Sequence, residues 1–469
     1  KNLVKEYAKV ASYIITVAFT AFATYMLHLS LQQIVSVTVL AIFIAGSFIY
    51  WNFRVAFAFL GITLLFVFNV LDIQHFINYS NIDVLTLIIA MMIVVGFLEE
   101  YKFFDWLTAR IIVNFLDRPM VVIFLLLLLS FIMSSLVNEV ASIIFMLAIA
   151  VRVCKYYEMN PIPLSIFLVF TTNLGSSATV IGNPIGVLIA FKAGLSFMDF
   201  MRWAFPISLL ATLVTIAISR YYLEGELKKA KTVKHPEEVK NEIKRMAKFH
   251  KKLIVPTIVF FGVILGLALH HYIEEYLRLE TNTMLLGMSL LGASASLFIA
   301  HDRAIDIVEK KVDWWSILYF LLLFASVGTL EYTHVSDIIT SAVMSVTKGN
   351  ILYIMLILSA VAGAITSVMD NVLAIAIVIP IIDSLKGVIN VFPIWWAILF
   401  AGTYWGNATL IGSTANIVMA GYMDKLKKRG ELERSVGMWE WIKIGVPVSA
   451  ITFFLAFLLL YLQLGIMPH

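Results

Sequence analysis

Charge and cysteine are both scarce in this chain of 469 residues. Only 14% of the residues are charged and 61% are hydrophobic, whereas soluble domains carry ~25% charged and ~45–50% apolar residues. This composition excludes an ordinary soluble domain and predicts a polytopic membrane protein. With a single cysteine, Cys154, the chain can form neither an internal disulfide nor a cysteine-ligated metal site.

Long uncharged runs dominate the sequence instead. They are about 20 residues long, the length that a helix needs to cross a bilayer, and too long for the strands of a membrane β-barrel. They predict an all-α membrane protein with about eleven transmembrane helices. The predicted crossings lie at about 8–27, 31–50, 54–71, 82–98, 163–192, 200–221, 253–271, 283–300, 314–331, 393–421 and 440–464.

Two further apolar segments, 119–156 and 350–385, differ from the crossings because each carries polar residues at its midpoint. A carboxylate in the hydrocarbon core costs at least ~2.5 kcal/mol, so an intramembrane acid indicates a functional site. We predict that each segment is a re-entrant helical hairpin whose polar tip lines a cavity, where non-helical backbone is tolerated. The tip residues are Asn138, Glu139, Asp370 and Asn371.

The two halves of the chain repeat each other at an offset of about 232 residues. Matching positions include Gly96 and Gly328, Glu99 and Glu331, Ser135 and Ser367, and Val140 and Val372. Each predicted repeat has an odd number of crossings, so the second is inverted relative to the first. Inverted repeats with interrupted helices are typical of secondary transporters whose binding site lies near the middle of the membrane.

The predicted domain organisation follows these repeats. Residues 1–30 form an extra N-terminal transmembrane helix, and a Lys- and Glu-rich cytoplasmic linker at 223–252 separates the two repeats. The first repeat is 31–222, with hairpin 119–156 and a broken helix at 163–192, and the second is 253–469, with hairpin 350–385 and a broken helix at 393–421.

The distribution of basic residues predicts the orientation. Most of the 34 Lys and Arg residues, Arg54 among them, fall in predicted inner segments when the N-terminus is cytoplasmic. This pattern predicts a multi-pass protein of the cell (inner or plasma) membrane with its C-terminus outside.

Both broken helices are rich in Gly, Ser, Thr and Asn at the predicted break. These residues let a helix unwind, so that carbonyl groups and helix ends face a cavity. Close packing of helices is an alternative explanation for either stretch alone. The candidate ligands in the breaks are Asn173, Ser177, Thr179, Asn183, Thr403, Asn407, Thr409 and Asn416.

The hairpin tips supply two carboxylates and two carboxamides. Such oxygen ligands suit Na+ or an exchanging proton, and a dianionic substrate would meet like charge unless cations or protons bound first. The residues therefore predict transport of a cation or a neutral hydroxylated solute. The predicted Na+ site is formed by Asn138, Glu139, Asp370 and Asn371.

Two other groups of polar or aromatic residues are not assigned to the site. His270-His271, with Glu274-Glu275 after it, could be metal ligands, but a solvated helix end is the favoured interpretation because they lie at a predicted outer helix terminus. The aromatic belt at the membrane interface is predicted to include Trp314-Trp315, Trp395-Trp396, Trp439 and Trp441.

These motifs resemble the ion transporter superfamily, which includes arsenite permeases, the P protein, NhaD-type sodium/proton antiporters, citrate transporters and divalent-anion/sodium symporters. Asp370-Asn371, Trp395-Trp396 and the run 406–416 most resemble the arsenite-permease and P-protein branch. The resemblance implies a scaffold domain, a mobile transport domain built from the hairpins and broken helices, elevator-like movement and a homodimer. The family's binding positions would fall on Asn138, Glu139, Ser177, Thr179, Asp370, Asn371, Asn407 and Thr409.

Two departures from the family pattern leave the cargo open. The first tip reads Asn138-Glu139 where the family commonly has Asp-Asn. The first break continues as Gly-Asn-Pro-Ile-Gly over 182–186, where Gly-Asp-Pro-Pro-Asn is common. We therefore expect the first half of the site to bind something other than the ligand typical of the family.

The predicted function is secondary active transport, specifically cation/proton antiport of the Na+/H+ type through Glu139 and Asp370. The alternative is Na+- or H+-coupled transport of arsenite or an organic anion such as citrate. An intramembrane enzyme is disfavoured because no Gly-x-Gly-Asp, His-Glu-x-x-His or Asp-Asp-x-x-Asp motif occurs. Beyond Na+ or H+ as coupling ion no cofactor is expected. The expected partners are the small substrate, membrane lipid and a second copy of the chain, without nucleic acid.

Overall fold

The computed structural model describes residues 2–230 and 237–468, and this part of the chain is helical with no β-strand. Positions 231–236 of the predicted linker lie outside the described residues. The helices of the first half are α1 (Asn2–Met26), α2 (Leu31–Ile49), α3 (Arg54–Val67), α4 (Ile73–Tyr79), α5 (Ile82–Glu100), α6 (Phe103–Ile112), α7 (Pro119–Val137), α8 (Glu139–Tyr157), α9 (Pro161–Ser176), α10 (Pro184–Ala193), α11 (Phe197–Asp199) and α12 (Phe205–Ala230).

The second half begins with a helix of the linker and ends with a long crossing. Its helices are α13 (Glu237–Met246), α14 (Ile254–Leu277), α15 (Thr283–Ala300), α16 (Ala304–Lys311), α17 (Trp314–Tyr332), α18 (Val335–Thr347), α19 (Ile351–Val368), α20 (Asn371–Leu385), α21 (Phe392–Tyr404), α22 (Thr414–Lys428) and α23 (Met438–Gln463).

Eleven helical segments in the described residues are long and apolar enough to cross a membrane, which confirms the all-α polytopic class. These eleven segments are not the same eleven that hydropathy predicted as crossings. The arms α7, α8 and α19 of the hairpins reach the required length, whereas the two broken crossings separate into the shorter helices α9 with α10 and α21 with α22.

The two repeats interlock through equivalent contacts. Helix α3 packs against α17, and its counterpart α15 packs against α5. The short helix α4 lies on α17 so closely that a Cβ on Gly328 would be 2.2 Å from Tyr79 Cγ. Helix α16 lies on α5 in the same way, because a Cβ on Gly96 would be 2.6 Å from Lys311 Cβ. Both pairs match at the offset of 232, as an inverted repeat requires.

Each predicted hairpin is present as two packed helices that meet at a polar tip. A single residue, Asn138 with φ 110° and ψ 162°, separates α7 from α8, in a backbone region that residues other than Gly rarely adopt. Met369 and Asp370 separate α19 from α20. At the base of the first hairpin, the Tyr157 hydroxyl donates to the Leu116 carbonyl at 2.7 Å. The two ends of that hairpin therefore lie together, as re-entrant geometry requires.

Two predictions from the sequence are wrong for some of their residues, because interhelical packing covers them. His270 and Glu274 are 0% and 3% exposed rather than solvated, whereas His271 and Glu275 are exposed. Glu274 Oε1 accepts the Met284 amide at 2.8 Å, so this carboxylate caps the start of α15.

The tryptophans predicted for the interfacial belt also divide into two groups. Trp314, Trp315 and Trp439 are exposed, whereas Trp395, Trp396 and Trp441 are buried. Trp395 and Trp396 lie on α21, which is packed between α19 and α23.

Candidate functional site

The two hairpin tips meet inside the protein. Asn371 Nδ2 donates a long hydrogen bond of 3.5 Å to Glu139 Oε1, so the amide of one tip contacts the acid of the other. Glu139, Asp370 and Asn371 are all buried. Glu139 Oε2 has no hydrogen-bond partner in the structure. A buried carboxylate oxygen without a donor is costly, which marks Glu139 as a group with capacity for a ligand.

The tip residues divide into two pairs of equivalent positions. Asn138 Oδ1 accepts the Ala141 amide at 2.9 Å and caps α8. Asp370 Oδ1 accepts the Val372 amide at 2.8 Å and caps α20. The N-terminal ends of both helices therefore point at the junction of the tips, where their positive dipole ends stabilise negative charge.

Arg54 is the site residue that the sequence reasoning missed. It was counted as an inner-loop residue, but the structure buries it beside the second tip, with Nη1 3.6 Å from Asp370 Oδ2. Its Nη2 donates to Ser316 Oγ at 2.9 Å. One signal was available in the sequence: at the repeat offset the second half has Leu286, so the charge is unmatched.

A cavity of about 310 Å³ reaches the junction of the tips from one side of the molecule. Glu139, Asp370 and Asn371 line its inner end together with Asn138 and Asn183. Its mouth is formed by the ends of α5 and α16. There, Lys311 Nζ pairs with Glu99 Oε1 at 2.9 Å.

The equivalent surface on the opposite side carries a much smaller cavity. A cavity of about 30 Å³ is lined by Val327, Gly328 and Glu331, which match Val95, Gly96 and Glu99 of the larger cavity. Tyr79, at the position equivalent to Lys311, also lines it. The two halves of the repeat therefore differ about tenfold in cavity volume, although their residues correspond.

The predicted ligands in the breaks form a hydrogen-bonded network behind the cavity. Asn173 Nδ2 donates to Asn407 Oδ1 at 2.7 Å and to Asn416 Oδ1 at 3.0 Å. Asn416 Nδ2 in turn donates to the carbonyls of Gly406 and Thr409, each at 2.7 Å. These bonds connect the break of the first repeat to that of the second.

The breaks are also tied to the hairpins of their own repeats. The Thr179 hydroxyl donates to the Ser135 carbonyl, and the Thr409 hydroxyl donates to the Ser367 carbonyl. These two bonds are equivalent in the two repeats. Each fixes the end of a hairpin arm just before its tip, so the polar break and the tip are positioned together.

The remaining predicted ligands have partners inside the protein. Asn183 caps α10 through the Gly186 amide at 2.8 Å and also borders the cavity. Ser177 Oγ lies 2.7 Å from Ser208 Oγ, and Thr403 Oγ1 donates to the Leu399 carbonyl at 2.8 Å. The cavity thus brings together the four tip residues and Asn183, while the other seven predicted ligands lie in the surrounding network.

Comparison with known proteins agrees with the resemblance seen in the motifs. The model of the citrate transporter family (CitMHS) matches residues 39–401. A 46 kDa membrane protein of Mycobacterium leprae is 27% identical over 82% of this chain and 87% of its own. An uncharacterized transporter of Mycobacterium tuberculosis is 27% identical over 92% of this chain and all of its own.

More distant similarities extend to a human protein and to a solved structure. The human P protein is 22% identical over 81% of this chain and 53% of its own length. The YdaH transporter of Alcanivorax borkumensis, whose crystal structure revealed an unusual topology, superposes with a TM-score of 0.58 at 12% identity. That superposition covers 87% of this chain and 89% of the other, and it shows a shared fold.

The predicted membership of the ion transporter superfamily is confirmed by these matches. The family and the relatives named as transporters also agree with the expectation that the protein is not an enzyme. Because the family model covers more than half of the sequence, the chain belongs to the citrate transporter family and is a multi-pass membrane transporter.

Proposed function

We propose that the protein is a secondary active transporter that exchanges Na+ for protons through Glu139 and Asp370. The observation that carries the proposal is that both acids line a cavity of about 310 Å³, roughly ten times the volume of its counterpart on the opposite side. Buried carboxylates that face a cavity inside a membrane protein are typical of ion pathways and proton relays.

The charge balance of the site supports exchange of monovalent cations. Two carboxylates, Glu139 and Asp370, stand against one guanidinium, Arg54. If both acids are ionised, one net negative charge remains, and either one Na+ or one proton neutralises it. Because an uncompensated buried charge is costly, the two cations would bind in competition, which is the basis of antiport.

The unequal cavities support alternating access. In an inverted repeat, the second state of the transporter is expected to open the counterpart of the cavity that is open in the first. By the distribution of basic residues, the mouth at Glu99 and Lys311 faces the cytoplasm. We therefore assign this structure to an inward-facing state. An elevator-like displacement of the hairpins and broken helices would open the surface near Glu331 instead.

Reconstitution of two conservative variants tests the proposal. In proteoliposomes with a pH-sensitive dye inside, the wild type should show Na+-dependent proton movement. Glu139→Gln and Asp370→Asn should each reduce its rate by at least about tenfold, since each removes an ionisable site group. Glu431→Gln, at an exposed position, is the matched control and should leave the rate unchanged. Na+- and pH-dependent flux at the wild-type rate in both tip variants would contradict the proposal.

Transport of an organic anion such as citrate is the second candidate, and the size of the cavity favours it. Its volume of about 310 Å³ reaches the range of small-molecule pockets. Uptake of labelled citrate and arsenite under a Na+ or proton gradient tests this candidate. Saturable citrate uptake with no Na+/H+ exchange would replace the first proposal by the second.

A further inference from the structure

The cation nearest the junction of the tips belongs to the protein itself. Arg54 Nη1 lies 3.6 Å from Asp370 Oδ2, and both side chains are at least 96% buried. The guanidinium carries the single positive charge that a bound Na+ would also carry. The guanidinium of Arg54 therefore supplies positive charge beside Asp370, as a bound Na+ would.

The contacts that hold Arg54 come from the helices around it rather than from the hairpin. Its guanidinium carbon lies 4.1 Å from the ring centroid of Trp51 and 4.9 Å from that of Tyr319. Nη2 donates to Ser316 Oγ at 2.9 Å. The Tyr319 hydroxyl is itself 2.6 Å from Ser47 Oγ, which fixes this ring between α2 and α17. These residues belong to α2, α17 and the turn before α3, which do not form the hairpins.

The contact between Arg54 and Asp370 is loose by comparison. A separation of 3.6 Å is too long for a hydrogen bond between nitrogen and oxygen. Among the residues that the structure describes, none accepts a hydrogen bond from Arg54 Nη1 or Nε. If the hairpin moved away, the guanidinium would keep its two aromatic faces, which stabilise a desolvated cation, and its bond to Ser316. Asp370 can therefore be separated from Arg54 without leaving Arg54 wholly unsupported.

We propose that Arg54 is a tethered competitor for the cation site. In the empty carrier it neutralises Asp370 and holds the second hairpin against α17. A monovalent cation bound between Glu139 and Asp370 weakens that attraction and frees the hairpin to move. Arg54 is thus a positioning residue that opposes movement of the unloaded carrier, and this inference rests on the proposed cation exchange.

The kinetics of two Arg54 variants test the competition directly. In proteoliposomes, Arg54→Gln leaves two uncompensated carboxylates, so KM for Na+ should fall by about tenfold or more, because a unit charge a few ångströms away has at least this effect. Vmax should fall as well, since release of Na+ becomes slow. Arg54→Lys keeps the charge and should return KM towards the wild-type value. Arg434→Gln, in an exposed ion pair with Glu440, is the matched control.

A charge-balanced double variant keeps the test independent of folding. Asp370→Asn alone neutralises the site and should abolish the rise in thermal unfolding temperature that NaCl gives to the detergent-solubilised protein. Adding Arg54→Gln restores the one net negative charge that the wild-type site carries, now on Glu139 alone. The double variant should therefore regain at least part of the stabilisation by NaCl.

The outcomes separate this inference from the proposed function. If the wild type shows neither Na+/H+ exchange nor stabilisation by NaCl, the proposed function fails and this inference fails with it. If exchange occurs and depends on Glu139, an unchanged or raised KM in Arg54→Gln overturns only the role of Arg54. A double variant as unresponsive to NaCl as Asp370→Asn alone overturns it too.

Discussion

Asn173 and Asn407 meet side chain to side chain, with Nδ2 of the first 2.7 Å from Oδ1 of the second. They are 234 residues apart and lie in the helix breaks of different repeats. Asn173 Oδ1 also accepts the Ser413 hydroxyl at 3.0 Å, so both ends of this buried amide are bonded. The pair joins the two breaks at the centre of the protein.

Asn173→Ala should destabilise the protein because it leaves several buried partners unsatisfied. Loss of the bonds to Asn407, Asn416 and Ser413 predicts a cost of about 2–4 kcal/mol, since each stranded buried group costs ~1–3 kcal/mol. The measurement is thermal unfolding in detergent micelles. Asn241→Ala, at an exposed position of α13, is the control and should change the unfolding temperature little. Equal unfolding temperatures for the two variants would contradict a central role for this network.

A methyl group at Gly175 should be poorly tolerated, whereas the same change at Gly225 should be accepted. A Cβ at Gly175 would lie 2.3 Å from the Phe131 carbonyl oxygen, so α7 and α9 would have to separate. Overpacking of this kind typically costs ~1–3 kcal/mol. At Gly225, in α12, a Cβ meets nothing within 4 Å, and Ala is ~1 kcal/mol better than Gly in a helix. Thermal unfolding of the two variants should therefore shift in opposite directions, and a shift of the same sign would contradict the close contact of α7 with α9.

Equivalent cysteines should differ in their accessibility. Val95 lines the larger cavity, and its counterpart Val327 lines the smaller one. In a background lacking the buried Cys154, we expect a water-soluble maleimide to label Val95→Cys and to leave Val327→Cys largely unlabelled. The labelled fraction is measured by mass spectrometry on protein in vesicles of known orientation.

The same labelling experiment also tests alternating access. Gly328→Val places side-chain atoms against the Tyr79 ring and should loosen the packing of α4 on α17. The maleimide should then label Val327→Cys more strongly. It should do so when added on the side of the membrane opposite to the side from which it labels Val95→Cys. Equal labelling of both cysteines from the same side in the parent protein would exclude the proposed inward-facing state.

The ion pair at Asp337 predicts a weak pH dependence of stability in the acidic range. His334 Nδ1 at 2.8 Å and the Ser384 hydroxyl at 2.9 Å bond this carboxylate and lower its pKa below the usual value of 3.8. Because the folded pKa lies below the unfolded one, the stabilisation is present above the unfolded pKa and is lost as pH falls through the folded pKa. Wild type should therefore unfold at a higher temperature than Asp337→Asn at pH ~6, and the difference should shrink as the pH falls below the usual pKa of 3.8.

The size of this effect should be small because Asp337 is about half exposed and solvent screens its interactions. Glu433→Gln, at an exposed position, is the control for the loss of one surface carboxylate. A difference between wild type and Asp337→Asn that grows as the pH falls would show that the sign of the pKa shift is wrong.

The hairpins were predicted well from local patterns in the sequence. The positions of Glu139 and Asp370 as isolated charges within long apolar runs indicated both tips, and the repeat offset paired them. The same reasoning failed for Arg54, because short cytoplasmic loops also have a single basic residue between two apolar runs. Its burial depends on α3 packing against α17, and its bond to Ser316 spans 262 residues.

Burial was the property that local patterns predicted least reliably. His270 and Trp396 lie where hydropathy places helix ends, yet neighbouring helices cover both of them. In a membrane protein, lipid and protein surroundings are equally apolar, so hydropathy distinguishes membrane from water but not the protein interior from the lipid-facing surface. Only the positions of the other helices decide that question.

The sequence alone determined the all-helical membrane class, the inverted repeat and the four polar residues of the hairpin tips. These properties follow from hydrophobicity and repetition along the chain, which are local or periodic and need no knowledge of packing. The tertiary structure decided that Arg54 lies beside Asp370, that the breaks are joined through Asn173, and that one cavity is about ten times larger than its counterpart. Each depends on contacts between helices more than 200 residues apart in the chain, and the shape of those contacts is set by side-chain packing across the whole molecule.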